Sequence, residues 1–89
     1  MASVVLTERF VSDASGIWSD KTLDRIRRCI LSLEAFPEMG SPDVPPSIRK
    51  EFGGGIRKIV VAPFDLVYEY EPKEDRVIIY ALVPCAQAR

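Results

Sequence analysis

The chain has 89 residues, of which 47% are hydrophobic and 28% charged, and its formal net charge is −1. This length predicts one domain spanning residues 1–89, and the apolar content excludes a disordered chain. No apolar run approaches the roughly 20 residues of a membrane-spanning helix, and the first residues lack a signal-peptide pattern. We therefore expect a cytoplasmic protein that does not hold nucleic acid through bulk positive charge.

The two cysteines, Cys29 and Cys85, are too few for a secreted scaffold stapled by disulfides. A bridge between them is disfavoured, because the cytosol keeps thiols reduced. The chain has no histidine and no pair of cysteines at zinc-ligand spacing. We therefore expect neither a metal site nor a cofactor.

The first half of the chain predicts a short strand and two helices. Residues 3–6 are apolar and β-branched, and Thr7 can cap a helix over 8–18 that places Trp18 in the core. A second helix over 20–36 ends before Pro37. Its apolar face carries Leu23, Ile26, Cys29, Ile30 and Leu33, and its polar face carries Asp24, Arg25, Arg27 and Arg28. The short link between the helices predicts an antiparallel hairpin.

The second half predicts a connector followed by three strands. The connector, 37–55, is rich in proline and glycine, and residues 47–52 could add a short turn of helix. Three strand-like runs follow: 56–62, 66–71 and 76–83. Their tight links permit only antiparallel hairpins, so the runs form a meander whose edge the first strand can join. The helical hairpin must cover one face of this sheet, which predicts an α+β fold.

A local cluster of positive charge stands out on this nearly neutral chain. Arg49, Lys50, Arg57 and Lys58 are accompanied by one acid, Glu51. The cluster can be a nucleic-acid patch, or a solvated loop and the polar face of a strand. Tyr68, Tyr70 and Tyr80 likewise either stack on bases or pack within the sheet. The three glycines at 53–55 indicate a flexible connector, since no helix follows to form a phosphate-binding loop.

Four short motifs in a fixed order carry a family resemblance. They are FPEMG at 36–40, GIRK at 55–58, LVY at 66–68 and VIIYALV at 77–83. Together with the order of elements, they resemble the RelE/ParE superfamily of toxins. The resemblance implies a short N-terminal strand and an antiparallel two-helix hairpin packed on an antiparallel sheet with a C-terminal meander. It also implies the toxin of a type II toxin–antitoxin module.

The resemblance implies two kinds of target. Some members cut mRNA on the ribosome, and others poison DNA gyrase; both are neutralised by a cognate antitoxin. Ribosome-associated mRNA cleavage is our leading hypothesis, with gyrase binding, or a degenerate toxin that only binds its antitoxin, as alternatives. On the nuclease hypothesis Arg57 and Lys58 are catalytic. The residues expected to bind nucleic acid are Arg49, Lys50 and Arg89.

The catalytic set of the nuclease members is not intact in this sequence. Asp65 stands where the resemblance implies a phosphate-binding cation. The tail PCAQAR offers only Gln87 or Arg89 where the nucleases carry a basic residue and a nearby aromatic or histidine. The antitoxin is expected to lay a helix in an apolar groove and to add a strand to a sheet edge.

Overall fold

The computed structural model describes residues 1–87. In chain order its elements are β1 (Ser3–Leu6), α1 (Glu8–Ser15), α2 (Asp20–Ala35), α3 (Pro46–Phe52), β2 (Ile56–Val61), β3 (Phe64–Glu71) and β4 (Arg76–Pro84), with a 3-10 turn at Cys85–Gln87. The predicted α+β order of elements is therefore confirmed. The predicted helical turn in the connector is also present, as α3.

The four strands form one sheet in the order β1-β4-β3-β2. The three C-terminal strands pair antiparallel, as the tight links predict. The N-terminal strand joins the β4 edge in parallel, with Ser3 opposite Arg76 and Leu6 opposite Ile79, so the sheet is mixed. The parallel pairing is possible because the chain between β1 and β4, which contains the helices as well as β2 and β3, provides the long connection that such a pair needs.

One face of the sheet packs against α1 and α2. Phe10 of α1 and the apolar stripe of α2 meet inward-facing side chains of all four strands. The fully buried members of this core include Leu33, Leu66, Tyr68, Val77 and Ile79. Cys29 belongs to the same core as a buried free thiol, as predicted.

The opposite face is covered by the connector. Val44, just before α3, and Ile48 of α3 pack against Ile56, Val67 and Ala81. On this side Phe52 stacks on Tyr80 with ring centroids 5.8 Å apart. The middle of strand β3 is therefore buried on both faces, which explains the unbroken apolar run Leu66, Val67 and Tyr68.

The first helix is shorter than predicted. It ends at Ser15, because the Gly16 N–H already bonds back to the carbonyls of Asp13 and Ala14. Trp18 consequently lies in the link to α2 with 94% of its surface exposed, and the prediction of a core tryptophan is wrong. Within residues 1–87, no helix is long and apolar enough to cross a membrane.

Candidate functional site

Strand β2 carries the two predicted catalytic residues on opposite faces of the sheet. Arg57 pairs with Tyr68 of β3, on the side of α1 and α2, and Lys58 pairs with Val67, on the side of α3. Successive residues of a strand point to opposite faces. The two cations therefore do not meet in one site.

Arg57 is bound to the connector. Its Nη1 donates to the carbonyl oxygens of Gly40 at 2.8 Å and Glu38 at 3.2 Å. Its Nη2 lies 3.6 Å from the Glu38 carboxylate, and about three quarters of the side chain is buried. The donors of this guanidinium are thus directed at the protein's own backbone and away from an external phosphate.

Lys58 lies beside a buried carboxylate. Its Nζ is 3.9 Å from Oδ2 of Asp65, whose side chain is only 4% exposed. The Cys85 thiol lies 3.8 Å from the other oxygen of the same carboxylate. Asp65 therefore does not face a solvent-accessible ligand surface, and its negative charge is compensated by Lys58.

The other basic candidates lie on or beyond the third helix. Arg49 and Lys50 occupy the last turn of α3 and are exposed. One Arg49 nitrogen donates to the Pro42 carbonyl at 3.2 Å, and the ammonium of Lys50 makes no ion pair within residues 1–87. Arg89 lies outside the residues that the structure describes.

All three tyrosine hydroxyls are engaged inside the molecule. The Tyr68 hydroxyl accepts the Gly40 N–H at 2.8 Å, while Tyr70 donates to Asp75 and Tyr80 donates to Glu69. Burial raises the pKa of Tyr68 and Tyr80, and the hydrogen bond to Asp75 raises the pKa of Tyr70. Each of these hydroxyls is therefore fully protonated near neutral pH.

A groove runs between the first two helices. It is lined by Phe10 and Ala14 of α1 and by Leu23, Ile26, Arg27, Ile30 and Leu31 of α2. Leu31 is about half exposed, and Arg27, at the same groove, makes no ion pair within the described part of the chain. The groove therefore combines an apolar floor with a guanidinium that is available to a partner.

A second exposed apolar feature follows α2 and was not singled out from the sequence as functional. Phe36 and Met39 are exposed, although the turn that carries them is fixed by Arg57 and Tyr68. The signal in the sequence was the FPEMG motif. Its glycine is required because a Cβ at Gly40 would lie 2.6 Å from the Tyr68 hydroxyl oxygen.

The remaining chemistry of the described residues is sparse. No group of three or more Cys, Asp or Glu side chains within residues 1–87 is arranged to hold a metal ion.

A family model described as the ParE toxin of the type II toxin–antitoxin system parDE matches residues 4–89. No curated protein matches the chain.

Proposed function

Since the chain belongs to the ParE toxin family of type II toxin–antitoxin systems, we propose that it arrests growth by binding DNA gyrase and does not cut RNA. Membership of this family identifies the chain as a toxin and implies an antitoxin partner. The choice of target rests on the geometry of strand β2.

The observation that carries the proposal is the engagement of both β2 cations. RNA cleavage by the neighbouring 2′-hydroxyl needs a base, an acid, and cations that stabilise the charged phosphorus centre. Arg57 donates to two backbone carbonyls, and Lys58 lies beside the Asp65 carboxylate on the opposite face of the sheet. A nuclease that lacks one such donor typically loses about 3 kcal/mol of transition-state stabilisation.

The tyrosines do not replace the missing base. A general base must be partly deprotonated near neutral pH, and the pKa of each tyrosine is raised above its ordinary value. The sequence contains no histidine to take that role. These facts favour a toxin that acts through its surface over one that acts through acid–base chemistry.

The antitoxin is proposed to bind the groove between α1 and α2. An amphipathic helix fits an apolar channel of this kind, and an acidic residue on that helix would pair with Arg27. An added antitoxin strand is better accommodated at β1 than at β2. The N–H and C=O of Lys58 on the outer edge of β2 are already bonded to Ser41, whereas Val5 and Leu6 on β1 are exposed.

Two assays on purified toxin separate the target classes. We expect the toxin to inhibit supercoiling by DNA gyrase and to leave mRNA intact on translating ribosomes. In cells, induction of the toxin alone should trigger the SOS response before mRNA levels fall. Ribosome-dependent mRNA cleavage without any effect on gyrase would overturn the proposal in favour of the nuclease hypothesis.

A paired substitution tests the chemistry of strand β2. Lys58→Gln combined with Asp65→Asn removes both charges and leaves polar side chains in their place, so no unpaired buried charge remains. We expect this variant to retain gyrase inhibition, because neither group contacts the target. Arg49→Gln with Lys50→Gln is the matched control, because it removes the exposed basic pair on α3 and leaves strand β2 unchanged. Loss of growth arrest in the first variant, with the fold retained, would return Lys58 to the active site.

A further inference from the structure

The turn that follows α2 displays apolar side chains to solvent. We call residues 36–39 the apolar loop. Phe36 is 66% exposed and Met39 is 46% exposed. A shallow surface hollow is lined by Ala35, Phe36, Pro37, Glu38 and Met39. Surface connections are ordinarily polar, so a turn with an exposed phenylalanine and methionine requires an explanation.

The apolar loop is held rigidly from beneath. Arg57 donates to the carbonyls of Glu38, within the loop, and of Gly40, the residue that follows it. The Tyr68 hydroxyl accepts the Gly40 N–H. The next residue, Ser41, exchanges two backbone hydrogen bonds with Lys58 of β2, at 2.9 and 3.0 Å. The Arg57 guanidinium and the buried Tyr68 hydroxyl thus fix a turn whose own apolar side chains are exposed to solvent.

Rigid exposed aromatic and thioether side chains are typical of binding hot spots. A preorganised loop loses little conformational entropy when a partner covers it, so more of the contact energy appears as affinity. Methionine and aromatic residues are enriched at the centres of protein interfaces, whereas a nucleic-acid surface would require exposed cations. The charged side chain of the loop is the Glu38 carboxylate, and the Arg57 guanidinium beneath it is already engaged by that carboxylate and by the backbone.

We propose that the apolar loop is the surface through which this toxin contacts DNA gyrase, with Phe36 and Met39 as its anchors. The inference rests on the proposed function and identifies the docking surface for that target. Arg57 is then a positioning residue, since it acts through the loop and does not touch the partner. The matching surface on the target is an apolar pocket flanked by basic side chains.

Charge distinguishes this surface from the groove between α1 and α2. The groove carries Arg27, whose guanidinium makes no ion pair within residues 1–87 and so suits an acidic helix. The apolar loop carries the Glu38 carboxylate, which is about two thirds exposed and lies 3.6 Å from Nη2 of the largely buried Arg57. The Asp75 carboxylate accepts the Tyr70 hydroxyl at 2.8 Å, and both acids lie close enough to that hydroxyl to raise the pKa of Tyr70. Two carboxylates beside one largely buried guanidinium leave this surface acidic, which suits a partner with basic side chains. The two surfaces therefore fit partners of opposite charge.

The test is a comparison of two double variants in two binding assays. Phe36→Ala with Met39→Ala removes the anchors, and Ile30→Ala with Leu31→Ala, in the groove, is the matched control. We expect the loop variant to lose about tenfold or more in the inhibition of gyrase supercoiling, as removal of hot-spot side chains does. Its affinity for the antitoxin encoded beside the toxin gene should change by less than about threefold. The groove variant should show the reverse pattern.

A third variant tests the positioning role of Arg57. Arg57→Lys keeps the charge but cannot donate to two carbonyls in the same fixed geometry. We expect faster amide hydrogen exchange at Gly40 and weaker gyrase inhibition, with unchanged circular dichroism. If Phe36→Ala with Met39→Ala inhibits gyrase as well as the wild type does, or loses only antitoxin binding, the docking surface is wrong. If the wild type itself does not inhibit gyrase, the proposed function fails and this inference fails with it.

Discussion

Gly40 is the point where the connector approaches the sheet most closely. A Cβ at this position would lie 2.6 Å from Oη and 2.7 Å from Cε1 of Tyr68, and 3.0 Å from the Lys58 carbonyl oxygen. The backbone oxygen cannot move aside without disturbing β2. The absence of a side chain at Gly40 is therefore what allows the Gly40 N–H to reach the Tyr68 hydroxyl.

Gly40→Ala is expected to lower the free energy of unfolding by about 1–3 kcal/mol, the usual cost of overpacking a filled site. Gly54→Ala is the matched control, because a Cβ there meets nothing within 4 Å and the backbone is not in the left-handed region. Urea unfolding of both variants measures the difference. Equal stability of the two variants would contradict the close approach at Gly40.

Ionisation of Tyr68 is expected to lower the stability of the folded protein at alkaline pH. Burial raises its pKa in the folded state, so the folded protein keeps this proton more tightly than the unfolded chain does. The corresponding contribution to stability is fully present below about pH 10, the ordinary tyrosine pKa, and is lost as pH rises through the higher folded value. Neutral and mildly acidic conditions leave it unchanged.

Comparison of the wild type with Tyr68→Phe isolates this effect. We expect the difference between their free energies of unfolding to be constant from pH 7 to about 10 and to shrink above it. The constant part reflects the Gly40 N–H left without its acceptor, about 1–3 kcal/mol for a buried donor. Urea unfolding at closely spaced pH values supplies the measurement. A difference that stays constant to about pH 11 would show that the Tyr68 pKa is not coupled to folding.

At the scale of elements, α1 substitutes for a missing strand. Strand β1 covers β4 only from Arg76 to Ile79, which leaves the later part of that edge without a strand partner. The Thr7 hydroxyl lies 3.0 and 2.9 Å from the carbonyls of Ile79 and Tyr80, and an Asp13 oxygen accepts the Leu82 N–H at 3.0 Å. Side chains of the helix and of its N-cap residue, Thr7, thus continue the hydrogen bonding of the sheet edge.

Asp13→Ala should therefore destabilise the fold although the residue lies on a surface helix. We expect a loss of about 1–3 kcal/mol, since the partly buried Leu82 N–H would lose its acceptor. Ser12→Ala, at an exposed neighbouring position, should change stability by less than about 0.5 kcal/mol. Chemical denaturation of both variants provides the comparison. A neutral effect of Asp13→Ala would mean that water replaces the carboxylate at this edge.

The elements that were predicted well are those specified by neighbouring residues. The stripe from Leu23 to Leu33 and the runs that became β2 to β4 depend on periodicity and tight links, which local sequence contains. The exposure of Trp18 was not predicted, because helix α1 ends one turn earlier than expected, before Gly16. A single glycine in the sequence indicates only weakly where a helix ends. The parallel pairing of β1 was not predicted, because the choice of partner and direction depends on how the whole sheet assembles.

The candidate site was harder to predict than the fold. The sequence marks Arg57 and Lys58 as adjacent cations, and strand geometry already implied that only one could face a given ligand. It contains no local sign that Arg57 would bond to carbonyls 17 and 19 residues earlier. The role of a polar side chain is decided by which distant backbone groups need a partner, and this information exists only in the folded chain.

At the scale of the whole molecule, the connector is part of the core. Its residues Val44 and Ile48 fill one face of the sheet, while the stretch before them, through Gly40 and Ser41, closes the β2 edge. A small domain gains stability when both faces of its sheet are covered, because its ratio of surface to volume is high. The same segment that completes the core also displays the apolar loop, so the proposed docking surface and the stability of the fold depend on one part of the chain.

The two proposed partner surfaces adjoin each other along α2. Leu31 lines the groove, and Ala35, one helical turn or about 6 Å further on, lines the hollow of the apolar loop. An antitoxin helix in the groove would therefore project over the loop. On the proposed assignment, the antitoxin would neutralise the toxin without a shared contact, because one partner would block the approach of the other.

We expect the toxin to bind gyrase or antitoxin, but not both at once. Toxin already bound to antitoxin should not be retained on immobilised gyrase, and added antitoxin should release toxin that is bound there. Ile30→Ala with Leu31→Ala is expected to weaken only the binding of the antitoxin. This variant should therefore shift the competition toward gyrase in proportion to the lost antitoxin affinity. A stable complex of all three proteins would contradict steric exclusion and would require neutralisation through a conformational change in the toxin.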